Sequence, residues 1–77
     1  MTYPYVVTVK VTDREHERLR RHAQYCYGYE ASDSVFSIKN DVIWYQCSFC
    51  FDAIEAFFDF LNGFHIFGAD IRLVSVR

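Results

Sequence analysis

Between Tyr5 and Val11 the chain alternates: Tyr5, Val7, Val9 and Val11 are apolar, with Val6, Thr8 and Lys10 between them. A period of two is that of a strand with one face against a core. Thr12-Asp-Arg-Glu15 follows and matches a capping box, in which the threonine hydroxyl meets the third helical amide and the glutamate reaches back to the cap. A helix is predicted from there to about Tyr27, with Gly28 as its left-handed stop. On a helical wheel Leu19, Ala23 and Cys26 share one face with His16 and His22 at its margins, while Arg14, Arg18, Arg21 and Tyr25 line the other. The arginine stripe reads as a solvated face steadied by Glu17 to Arg21 and Glu15 to Arg18 pairs, or as a grip for an acidic partner or a single-stranded nucleic acid.

After a polar loop, Glu30 to Ser34, two apolar runs, Val35–Lys39 and Val42–Phe49, flank Asn40-Asp41. Asn and Asp tolerate the positive φ of a tight hairpin turn, so the runs are predicted to pair, with the bulkier Phe36 and Ile38 facing the core. Asp52-Ala-Ile-Glu55 repeats the capping pattern, a second helix runs to Asn62-Gly63, and Ile71–Val76 is the last strand. The order is βαββαβ. It predicts a single α+β domain over 1–77 with a four-stranded antiparallel sheet, strand order 4-1-3-2, and both helices on one face, the ferredoxin-like arrangement.

The second helix carries more apolar surface than one sheet face can hide. Ile54, Phe57, Phe58 and Leu61 form a stripe suited to the sheet, whereas Ala53, Phe60 and Phe64 widen it. The open sheet face adds Val6, Val35, Val42, Trp44, Val74 and Val76. Large aromatics and arginines supply most binding hot spots, so Trp44, Phe60, Phe64, Arg14, Arg18, Arg21 and Tyr25 are the candidate partner-binding residues. The alternative is that the loop carrying Tyr25, Tyr27 and Tyr29 folds over part of that surplus.

Composition narrows the classes. The chain has 77 residues, 52% apolar and 19% aromatic, enough to exclude a disordered segment. A domain of this size buries only about 60% of its unfolded surface, so a staple or partner helps it. A net charge of −2 and a pI near 5.8 argue against duplex binding driven by counterion release. No apolar run is long enough to span a bilayer and the N-terminus lacks the features of a signal peptide, which predicts a cytoplasmic protein. The three cysteines, an odd number, are then expected to be reduced thiols.

Cys47-Ser-Phe-Cys50 raises the question of metal. In a continuous strand the two thiols face opposite ways, as a pair of core or surface residues. If the strand instead ended in a turn at Cys47, His22, Cys26, Cys47 and Cys50 would make a tetrahedral zinc set. The flanking Phe49 and Phe51 argue for the strand, and no metal or other cofactor is expected. No nucleophile-and-base pattern or phosphate-binding glycine loop stands out, so the expectation is not an enzyme.

These features together predict a small non-catalytic protein-interaction module, a homodimer or the inhibitor of a larger protein. Phage-encoded inhibitors of host defence, anti-CRISPR proteins among them, offer an analogy of size alone. The alternatives are a single-stranded nucleic-acid-binding domain using Trp44 and the helix arginines, and a small zinc-stabilised domain.

Overall fold

The computed structural model describes residues 5–30 and 35–77. The elements run β1 (Tyr5–Thr12), α1 (Asp13–Tyr25), β2 (Tyr29–Glu30), β3 (Val35–Lys39), β4 (Val42–Phe51), α2 (Ile54–Asn62), a 3-10 segment (Phe64–Asp70) and β5 (Ile71–Val76). Of the polar loop expected at Glu30 to Ser34, residues 31–34 lie outside the described part. The protein is an α+β structure, but it departs from the four-stranded arrangement expected: the antiparallel sheet has five strands in the order β2-β4-β1-β5, with β3 also paired to β4. Among the described residues there are three helical segments rather than two.

The ten-residue β4 is the spine. On one side it pairs with β1 from Tyr5 opposite Phe51 to Thr12 opposite Trp44. Its other edge is shared: β3 takes Val42–Gln46 and the two-residue β2 takes Phe49 and Cys50. The extra strand follows from the way α1 ends. Tyr27, not Gly28, adopts the left-handed conformation, at φ 59°. The amide of Tyr27 donates to the carbonyl of Gln24 at 3.0 Å and that of Gly28 to Ala23 at 2.7 Å, the double closure of a Schellman motif. Glycine is required at 28 for room: a Cβ there would lie 2.5 Å from Cε1 of Phe51. The chain thus passes tightly over Phe51 and Tyr29-Glu30 drops onto the edge of β4.

Neither predicted capping box forms. Thr12 is drawn into the sheet, opposite Trp44, and its hydroxyl is buried with no hydrogen-bond partner. Glu15 holds the Arg18 guanidinium at 3.1 Å instead of reaching back. The second helix begins at Ile54 with Ala53 as its cap, one turn position beyond Asp52. The hairpin turn is as expected: Asn40 and Asp41 both have positive φ, 53° and 63°, the pattern of a type I′ turn.

Val7, Val9 and Val11 of β1 and Cys47, Phe49 and Phe51 of β4 face the helices and are buried with Leu19, Ala23, Phe57, Phe60 and Phe67. Phe60 is the hub, with ring centroids of Phe49, Phe51 and Phe64 at 5.2, 4.9 and 4.9 Å and the His22 ring stacked at 5.3 Å. Each such phenylalanine contributes about 1.5–3 kcal/mol through burial. On β5 a bulge makes Val74 an extra residue, since Thr8 faces Ser75 while Val9 faces Leu73. Val76 therefore lies opposite Val7 on the helix side, not on the open face as strict alternation predicts.

Candidate functional site

The outer half of the β3–β4 hairpin and the open sheet face beside it carry the exposed chemistry of the molecule. In β3 every residue is exposed, Val35 at 70%, Phe36 at 59% and Ile38 at 66%. The register does turn Phe36 and Ile38 to the helix side, opposite Tyr45 and Ile43. They are nevertheless uncovered: α1 lies over β4, where His16 stacks on the Tyr45 ring with centroids 4.5 Å apart, and leaves β3 bare. Phe36 continues that row, 6.2 Å beyond Tyr45. Among the described residues nothing pairs with the outer edge of β3. A two-residue hairpin hydrogen-bonds Lys39, Ser37 and Val35 to β4, so the amides and carbonyls of Phe36 and Ile38 point outward.

On the opposite face Trp44 is half-buried, with the Arg72 guanidinium 5.3 Å above its ring. Trp44 and Arg72 share a groove with Lys10, Ser37, Lys39 and Asn40. Lys10 sits directly opposite Arg72 across β1 and β5. Like charges so placed repel, and none of the described strand residues on this face is acidic. Thr8 and Ser48 complete the face with a 2.8 Å hydroxyl–hydroxyl hydrogen bond.

The candidate residues named from sequence are scattered. Phe60 is fully buried and is corrected to a core residue: α2 is turned so that Phe57 and Phe60 face the sheet while Ile54 and Phe58 are exposed. Phe64 is half-buried against Phe60, edge to face. Arg14, Arg18, Arg21 and Tyr25 are exposed on α1, across the sheet from Trp44, and form no common surface with it. Arg18 pairs with Glu15 and lies 5.3 Å over the Phe67 ring, and Arg21 approaches Glu17 at 3.8 Å. Tyr25 and Tyr27 project outward rather than covering the surplus apolar surface.

The set His22, Cys26, Cys47 and Cys50 is not brought together. The Nε2–H of His22 donates to the Phe60 carbonyl at 3.0 Å, and Cys47 faces the core while Cys50, opposite Val6, faces the open side. Burial, then the Glu30 carboxylate, push the Cys47 thiol up to about 12 against the opposing pull of Arg20, so it is no ready nucleophile. Cys26 and Cys50 are raised as well, chiefly by burial. The His/Cys/Asp/Glu cluster with metal-ligand spacing among the described residues is His16, Glu30 and Cys47, which sequence spacing did not suggest. No helix among those residues is long and apolar enough to cross a membrane. No family model, curated protein or solved structure matches the chain.

Proposed function

We propose that this protein is a non-catalytic protein-interaction module that works through the edge of β3, and that the chain it pairs with is a second copy of itself. The supporting observation is β3 itself: a five-residue edge strand with its three largest apolar side chains more than half exposed. Natural proteins blunt such edges with charge, proline or a covering element. Here a lone Lys39 at the end is the only charge on the strand.

The strand is self-complementary. A two-fold axis at Ser37 sets Phe36 of one copy opposite Ile38 of the other, whose outward backbone groups exchange hydrogen bonds, and sets Val35 opposite Lys39, with no like-charge pair. Four backbone hydrogen bonds at about 1 kcal/mol each, plus burial of Phe36 and Ile38, offset an association cost of at least about 4 kcal/mol, which suits a micromolar dimer. Native mass spectrometry and sedimentation at ~50 μM, well above a micromolar Kd, are expected to show a dimer that Ile38→Lys converts to a folded monomer. A monomeric wild type overturns self-pairing and turns attention to a strand of a larger protein.

The Lys10, Arg72 and Trp44 groove favours a second reading, an anionic ligand with a stacking ring such as a single-stranded nucleic acid. It rests on the repelling Lys10–Arg72 pair set beside Trp44, not on the α1 arginines. Retention on single-stranded oligonucleotides that falls with salt and with Arg72→Ala is its expected signature. An oligonucleotide that flows through at low salt removes it.

A further inference from the structure

We infer that His16, Glu30 and Cys47 form a binding site for one zinc-type divalent ion, seated between α1, β2 and β4. The three residues lie far apart in the chain and offer one ligand atom each, an imidazole nitrogen, a carboxylate oxygen and Sγ, all within 4.8 Å of one another. A tetrahedral zinc ion with bonds of about 2.0–2.3 Å holds its ligand atoms roughly 3.3–3.8 Å apart. His16 Nε2 and Glu30 Oε2 are already 3.5 Å apart, so a small closure of the thiol completes three corners.

Three independent features fit a site built for an ion. Nε2 of His16 and Oε2 of Glu30 are both sealed from solvent and neither has a hydrogen-bond partner, although they face each other. Buried polar atoms are nearly always satisfied, and a cation between these two would satisfy both. The outer groups are also in place: Arg20 Nε forms an ion pair with the other Glu30 oxygen at 3.0 Å, which orients the carboxylate, and the Tyr45 ring lies nearly parallel to the imidazole, 13° away, which holds its plane. Finally, a cavity bordered by Arg20, Gly28, Glu30 and Phe49 opens beside one of the three ligands, Glu30.

Imidazole, carboxylate and thiolate match the borderline-soft character of zinc and not that of magnesium or calcium, which take oxygen ligands. On binding, the Cys47 proton is released to solvent and the two anionic ligands balance the ion. Three protein ligands leave a fourth position for water or an outside group. An ion here would tie the two-residue β2 and the start of α1 to β4, a staple of the kind small domains use.

The chelator-treated, reduced full chain is titrated with Co2+, which reports thiolate ligation through its charge-transfer absorption. The expected result is one equivalent bound, with the band retained when Cys26 and Cys50 are both changed to Ser, lost in Cys47→Ser, and weakened about 10-fold in affinity by Arg20→Gln. Should Cys47→Ser fail to fold by circular dichroism, His16→Gln, on the margin of the helix with a side chain 19% exposed, is read by the same band: at least a 100-fold loss of affinity, beyond the 10–100-fold of an outer-shell change. A wild-type chain that shows no cobalt–thiolate band, a band that survives Cys47→Ser, or a His16→Gln chain that binds cobalt with wild-type affinity overturns the site.

Discussion

The two ends of β4 obey the same alternation and meet opposite fates. At its C-terminal end Cys47, Phe49 and Phe51 lie under both helices and are buried, whereas at its N-terminal end Ile43 and Tyr45 are only half covered and the neighbouring Phe36 and Ile38 are exposed. All seven side chains point to the same face. Orientation in a sheet is therefore a local property, and burial is not: it depends on whether a helix lies above. The β3–β4 hairpin extends beyond α1, and what the inner end spends on cohesion the outer end leaves available for contact.

The contrast breaks most sharply at its two phenylalanines. Phe60→Ala, which empties the centre of the aromatic cluster, is expected to lower stability by about 3–5 kcal/mol, most or all of what a domain this size has. Phe36→Ala is expected to stay within about 0.5 kcal/mol for the monomer while weakening self-association. Urea unfolding of both variants decides this, and equal effects would erase the distinction between the two ends.

Gly28→Ala tests the tight passage over Phe51 at the buried end. With Cβ 2.5 Å from the Phe51 ring and 3.1 Å from the Ala23 carbonyl, a loss of about 1–3 kcal/mol is expected in thermal melts. An unchanged Tm would mean that β2 is not held against β4 as described. One residue earlier the sign reverses: Tyr27→Gly relieves a left-handed φ of 59° and is expected to add about 0.5–1 kcal/mol.

On the open face, Lys10→Glu turns the repelling pair with Arg72 into an attractive one. A gain of about 0.2–1 kcal/mol is expected, together with loss of any oligonucleotide retention; a loss of stability would place Lys10 elsewhere. The mildest probe is thiol alkylation in the metal-free protein. Cys50, half-exposed on the open face, is expected to react first, and Cys47, buried and pushed up to about 12, last. Early labelling of Cys47 by peptide mapping contradicts its burial.

Much of this contrast was readable in the chain. The type I′ turn at Asn40-Asp41, the core-facing valines of β1, and the opposed directions of Cys47 and Cys50 follow from local sterics and a period of two, which neighbours do not alter. The misreadings share a cause. Phe58 and Phe60 are two residues apart on a helix whose apolar positions nearly encircle it, so the wheel cannot choose between them; Phe49 and Phe51 make the choice by offering a pocket to Phe60. Thr12 and Asp52 carry the right groups for capping, but the sheet took Thr12 and the helix began past Asp52. The Val74 bulge and the placing of Glu30 beside His16 and Cys47 leave no periodic trace at all.

Short-range physics thus settled which residues form strands, helices and turns, and which way most side chains point, because φ/ψ preference and alternation act within a few residues. It took the packed chain to settle which of those outward or inward positions are covered, and which distant polar groups meet, because burial and encounter depend on how far each helix reaches across the sheet. The exposed edge of β3 and the His16–Glu30–Cys47 cluster both belong to that second kind.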